Sequence, residues 1–218
     1  TLNEKLIHAT LKNYYSASSD EQEIKIGGYY TDAMGENGIF EIQTASFNKL
    51  RPKLAAFLQC SHVTVVYPMT ESLRLIYIDS ETGEILKKSP VRRNKSFVKF
   101  FLELYRIKEF LHNPNLSICV AMLEIEEKRV VDGVPKRGRK QALQRIKTPL
   151  SLRDELYFHK PEDFARFMPE GLADEFTKKE YLKASKQPNA SLELEIMRLL
   201  GLVDIVGKRG NGFVYRKR

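Results

Sequence analysis

Two carboxylates, Asp32 and Glu41, stand on either side of a strong turn signal, Gly35-Glu36-Asn37-Gly38, and Gln43 follows two positions after the second. The flanking segments, 29–34 and 39–45, read as extended. Such a hairpin pairs Met34 with Ile39, Ala33 with Phe40 and Asp32 with Glu41, and cross-strand partners share a face. Asp32, Glu41 and Gln43 are therefore expected on one side of the ribbon, with Phe40 and Ile42 on the other. Two carboxylates opposed across a ladder repel, by up to about 1 kcal/mol when exposed. Burial raises that cost, because it favours the protonated form of one of them. A divalent cation removes it. Mg²⁺, or Mn²⁺ in its place, takes hard oxygen ligands, often one or two carboxylates with waters and a phosphate oxygen. So placed, it polarises a phosphodiester, activates a water and stabilises the leaving oxygen. The competing reading is a pair of solvated edge charges.

These side chains need a frame. Residues 2–15 have apolar positions at helical spacing (Leu2, Leu6, Ile7, Leu11). The hairpin comes next, then a second helical stretch over 47–59. After it comes a short apolar strand, 62–67, which Pro68 is expected to end. Strand, helix, strand in that order predicts a βαβ crossover with 39–45 parallel to 62–67. Residues 73–79 and 84–87 read as another hairpin, 97–111 as a helix and 116–126 as a strand. The first 132 residues thus form one α/β unit around a mixed sheet. Residues 133–153 hold seven Lys or Arg and no acid, and read as a basic linker or arm. Residues 154–218 read as short helical segments at 161–168, 177–185 and 190–200, followed by a hairpin over 202–216. That is the pattern of a small winged helix-turn-helix domain.

The run Gly28-Tyr-Tyr-Thr-Asp32, then Glu41-Ile42-Gln43, an amphipathic helix and a strand resembles the PD-(D/E)xK nuclease superfamily over about residues 1–130. The resemblance implies a restriction-endonuclease-like mixed sheet flanked by helices. It implies a metal-dependent endonuclease that hydrolyses DNA phosphodiesters and leaves 5′-phosphates. Asp32 and Glu41 would then ligate Mg²⁺ or Mn²⁺, with the Ile42 carbonyl as a further ligand. Glu4 on the first helix would join that shell, with His8 one turn later on the same side. Gln43 departs from the usual lysine. It can hydrogen-bond the attacking water but supplies no charge. Lys49 and Lys53 on the following helix are within conceivable reach, but their spacing fits a solvated face better.

Charge points the same way. The net charge is +8 and the pI about 9.3, which suits a polyanionic partner. The expected nucleic-acid contacts are Lys88, Arg92 and Arg93 after the second hairpin, Lys136, Arg137, Arg139 and Lys140 in the arm, and Lys208 and Arg209 in the wing. Double-stranded DNA is the expected partner, and a homodimer is left open. The alternative is a catalytically inactive nuclease fold, serving as a DNA-binding or protein-interaction subunit of a restriction, repair or transposition system. Two cysteines, Cys60 and Cys119, read as buried free thiols rather than a disulfide framework. No apolar run approaches bilayer length and the first residues hold no signal-peptide core. A cytoplasmic protein without membrane contact is the expectation.

Overall fold

The computed structural model describes residues 2–16, 18–94, 96–132, 143–185, 187 and 190–218, with the side chains of residues 2–5 and 19 left aside. Helix α1 (Leu2–Tyr15) is followed by short strands β1 (Lys25–Ile26) and β2 (Tyr29–Tyr30). The hairpin β3 (Ala33–Gly35) and β4 (Gly38–Ile42) leads into α2 (Arg51–Phe57) and β5 (Val63–Asp79). Strands β6 (Ile85–Lys88) and β7 (Arg92–Arg93) precede α3 (Val98–Arg106), β8 (Leu116–Val131) and β9 (Gln144–Phe158). Then come β10 (Glu175–Thr177), α4 (Lys178–Ser185), α5 (Ala190–Leu199), β11 (Val203–Arg209) and β12 (Gly212–Lys217).

The central sheet is mixed, in the order β3-β4-β5-β8-β9, with β6 and β7 also paired to β5. β4 runs parallel to β5, with Ile39 opposite Val63 and Ile42 opposite Val66, as the strand–helix–strand pattern predicts. β5 does not stop at Pro68. It continues to Asp79 and pairs with β8 along its whole length. The amide of Gln43 donates to the Val66 carbonyl, so even-numbered residues in this part of β5 direct their backbone groups toward β4. Pro68 has the same parity, and β4 has already ended at Ile42. The donor that proline lacks is missing where no strand would accept it.

Alternation sorts the side chains into two layers. Ile39, Val63, Val65, Tyr67, Ile118 and Val120 join the core under α2 and α3. Ile42, Val66, Cys119, Ala121 and Leu123 join the core under α1. Ile7, Leu11 and Tyr15, spaced i, i+4 and i+8, are the stripe by which α1 packs there. Leu6, expected inside, is 41% exposed. The end of α1 is pinned to β9 by Tyr14 and Tyr15, which meet one carboxylate of β9 together with that strand's own Tyr157. Tyr15 Oη donates to Glu155 Oε1 (2.7 Å), Tyr157 Oη to the same oxygen (3.0 Å) and Tyr14 Oη to Oε2 (3.0 Å).

Two expectations are corrected here. Residues 144–153 are not a linker but the first part of β9, antiparallel to β8. β9 is the outermost strand, and exposed edges favour charges and prolines such as Arg145, Lys147 and Pro149. The C-terminal segment is also no separate unit. Phe176, Tyr181, Leu194, Ile196, Met197 and Tyr215 belong to the same continuous core as Phe47, Phe100, Phe101 and Phe158. The expected hairpin is present as β11–β12. However, α5, in the place expected of a recognition helix, has no exposed residue. Its Glu193 is buried and accepts a hydrogen bond from Tyr181 Oη (2.7 Å). Cys119 is buried and free, while Cys60, expected inside, is exposed. Among the described residues, no helix is long and apolar enough to cross a membrane.

Candidate functional site

The register places the two carboxylates side by side. Ala33 pairs with Phe40, Met34 with Ile39 and Gly35 with Gly38, so the expected pairing holds, with a tighter turn of two residues, Glu36 and Asn37. Gly38 makes this turn possible. Its φ is +105°, and a Cβ there would lie 2.3 Å from the His62 carbonyl oxygen. That carbonyl accepts the Ile39 amide at 2.9 Å, which locks the start of β4 onto β5.

Beyond the last ladder pair, Asp32 and Glu41 tie the ends of the hairpin together. The Asp32 amide donates to Glu41 Oε1 (3.2 Å), and the Ile42 amide donates to Asp32 Oδ2 (2.8 Å). The Ile42 carbonyl leaves the strand on the same side as its amide, toward Asp32 and past the end of β3. One basic side chain arrives from each layer. His8 on α1 brings Nε2 to 3.2 Å from Asp32 Oδ2. Lys53 on α2 brings Nζ to 2.6 Å from Glu41 Oε2.

The two carboxyls differ in protonation. Burial pushes Asp32 upward, but His8, Lys53 and the Ile42 amide outweigh it and hold its pKa below the usual value. Glu41 is 1% exposed. Burial and the neighbouring Asp32 charge push its pKa up to about 7, against the opposing pull of Lys53. The Lys53 ammonium is the one group that meets Oε2, as an ion pair. That ion pair aside, Glu41 Oε2 is the one buried side-chain polar atom among the described residues without a hydrogen-bond partner.

Gln43 does not join the pair: its Nε2 donates to the Ala45 carbonyl two residues on. Lys53, which the sequence favoured as a solvated face, is the residue that enters. Its reach depends on how closely α2 packs on β4, which helical spacing alone cannot show. Leu54 and Phe57, both fully buried, set that packing. Glu4 lies on α1 four residues before His8, and its side chain falls outside the described set. Among the described residues no group of three or more His, Cys, Asp or Glu side chains is arranged around a single point. The oxygens available together are those of Asp32, Glu41 and the Ile42 carbonyl.

The expected phosphate contacts divide. Lys88, Arg92 and Arg93 are exposed on β6 and β7. Lys136, Arg137, Arg139 and Lys140 lie outside the described residues. In the C-terminal hairpin, Arg209 is 3.6 Å from Glu180, and Lys208 lies 5.4 Å from the centre of the Phe213 ring.

A family model described as "Domain of unknown function (DUF8091)" matches residues 5–159, and the chain belongs to that family. The matched segment ends one residue after β9. It contains His8, Asp32, Glu41, Lys53 and the β6–β7 segment, and leaves out the C-terminal hairpin. Over 226 residues the chain is also 26% identical to a protein of Treponema pallidum (strain Nichols) named "Uncharacterized protein". That similarity covers 100% of this chain and 86% of the relative. No solved structure matches the chain.

Proposed function

We propose that the chain is a metal-dependent endonuclease acting on DNA, with Asp32 and Glu41 as its centre. The observation that carries this reading is the buried Glu41 carboxylate beside Asp32, whose Oε2 meets only the Lys53 ammonium. A buried, incompletely satisfied carboxylate is costly unless something balances it. The oxygen donors fit Mg²⁺ or Mn²⁺, which are commonly bound through one or two carboxylates and retain several waters. Asp32, Glu41 and the Ile42 carbonyl would hold the ion. When bound, it supplies Lewis acidity to the phosphodiester and to an attacking water.

The residues of the chain then have separate tasks. His8 and the Ile42 amide fix the Asp32 carboxylate. Lys53 offers a positive charge and a donor at the buried end of Glu41, which is the position Gln43 leaves empty of charge. From there it can orient the attacking water and oppose the charge that grows on the phosphoryl oxygens. Water adds to phosphorus, the bond from phosphorus to the 3′ oxygen breaks, and the products are a 5′-phosphate and a 3′-hydroxyl. The restriction-endonuclease-like fold and the winged-helix reading of the C-terminal segment belong to this same proposal.

A second reading has its own observation. Both carboxylates already face a basic side chain, His8 and Lys53, and Gln43 is turned onto the backbone. The same fold would then bind DNA without cutting it. Calorimetry with Mn²⁺ decides whether the centre takes a metal: wild type should bind and Glu41→Ala should not. Incubation with plasmid and branched DNA plus Mn²⁺ decides catalysis. Nicking that disappears in Asp32→Ala and Glu41→Ala supports the enzyme. Metal binding with no cleavage of any substrate leaves the second reading.

A further inference from the structure

We infer that the β6–β7 ribbon, rather than the C-terminal hairpin, is the surface that grips nucleic acid, and that a duplex runs from the Asp32–Glu41 centre along one edge of β5. The inference rests on the proposed centre for the origin of this path. The ribbon itself is argued from charge and topology.

The first observation is pairing. Most described arginines face a carboxylate: Arg51 with Glu109, Arg74 and Arg153 with Glu124, Arg106 with Glu103, Arg129 with Glu127 and Arg198 with Glu195. The C-terminal hairpin follows the same rule, with Arg209 on Glu180, Arg216 on Glu175 and Arg218 on Asp204. Arg92 and Arg93 are exposed, and among the described residues neither meets a carboxylate or an aromatic ring. Residues 85–102 contain six Lys or Arg and no acid. Lys87 and Lys88 are exposed beside them on β6. The arginine charge of the hairpin is paired locally, whereas that of the ribbon is not.

The second observation is placement. β8 occupies one edge of β5 throughout, so β4, β7 and β6 share the other. Glu41 lies opposite Val65, Arg93 opposite Ser72 and Lys88 opposite Ile76. Along a strand these intervals correspond to roughly 20 Å and 35 Å. At about 3.4 Å per base pair that is some six to ten pairs, up to one turn of a duplex. Four unpaired cations at that distance suit phosphates flanking the site of cutting.

The test is binding of a fluorescent 20-base-pair DNA duplex in chelator, which separates the ribbon from catalysis. The expected result for Arg92→Glu/Arg93→Glu is a fall of about 2 in the slope of log affinity against log salt. Low-salt affinity should fall roughly tenfold with it. Arg92→Gln/Arg93→Gln should show a smaller fall of the same kind, with an unchanged melting temperature. Lys208→Glu/Arg209→Glu should leave the slope in place. An RNA duplex and a single strand, run alongside, identify the nucleic acid the ribbon prefers. Unchanged slopes in the ribbon variants, or a flattened slope in the hairpin variant, overturn the inference. So does equal affinity for a poly-aspartate peptide of matching charge. Because no metal is present, these outcomes are independent of whether Mn²⁺ binds at Glu41, and either claim can fail alone.

Discussion

Glu41 ionises near pH 7 in the folded chain because burial and the Asp32 charge oppose its anion more than Lys53 supports it. In the unfolded chain the same carboxyl ionises near 4.5. Between those values the native state keeps a proton that the unfolded chain has released. Stability without metal should therefore decline as pH rises from about 4.5 to 7 and level off above. The decline is of the order of 3 kcal/mol at most. Asp32 acts in the opposite sense: its contribution is present above its unfolded value and is lost as acid protonates it. Urea unfolding in chelator at pH 5 and pH 8 checks the prediction. Wild type should be more stable at pH 5, and Glu41→Gln should remove most of the difference. Lys53 provides a second test at this scale. Lys53→Met should leave the fold intact and reduce plasmid nicking by about 100-fold or more, whereas Gln43→Ala should change it little. Equal rates in all three proteins would remove Lys53 from the mechanism. The sequence made the carboxylate pair legible because hairpin register follows from a turn and strict alternation. It named His8 and Lys53 as neighbours of the pair but could not decide that they enter, since both arrive from helices whose approach is set by tertiary packing.

At the scale of elements, the hairpin depends on one glycine and the C-terminal helices on one buried polar pair. Gly38→Ala would place a methyl carbon against the His62 carbonyl and force a positive φ on an L residue. The expected cost is at least about 2 kcal/mol, read as a lower urea midpoint, with loss of Mn²⁺ binding as the Asp32–Glu41 register loosens. Glu193→Ala would strand the hydroxyl of fully buried Tyr181, at a cost of about 1–3 kcal/mol. Glu193→Gln keeps an acceptor and should recover much of that stability. If both variants melt alike, the hydrogen bond is not what holds α4 to α5. The elements legible in the sequence were those with clear periodicity: α1, β4, α3 and the first half of β8. β9 was hidden because an edge strand is free to carry Lys, Arg and Pro, the residues that otherwise mark a linker. The far half of β5 was hidden behind Pro68, whose usual meaning is a strand end.

The whole molecule has a core that crosses the boundary drawn from composition. Phe100, Phe101 and Leu104 of α3 share one buried cluster with Leu194, Ile196 and Met197 of α5. Fully burying side chains of this size stabilises by roughly 1.5–3 kcal/mol each. Truncation after residue 159, where the family match ends, would expose that surface. The expected outcome is loss of cooperative unfolding and binding of a hydrophobic dye, while the full chain unfolds in a single transition by fluorescence and circular dichroism alike. Two separate transitions in the full chain would show that the C-terminal segment is independent after all. Composition misled here because Arg145, Lys147 and Arg153 belong to β9 of the central sheet rather than to a spacer between two folding units.

The pairing of β5 with β8 skips one residue: Thr70 faces Leu123 and Ser72 faces Glu124, leaving Glu71 as an extra link. Before it, odd-numbered side chains such as Tyr67 and Met69 enter the layer under α2 and α3, whereas Leu73 enters the layer under α1. The extra residue therefore shifts the odd–even numbering of β5, while later side chains keep the layer of their β8 partners, as Leu73 does opposite Ile125. Deleting Glu71 would remove the bulge and leave that facing in place. Leu73 would stay opposite Ile125 in the layer under α1, and β7 would keep its register at Ser72 and Leu73. Homologues of this chain can vary freely in the turn at 80–83, whereas in the body of β5 the bulge at Glu71 is the place where one residue can be lost without a change of layer.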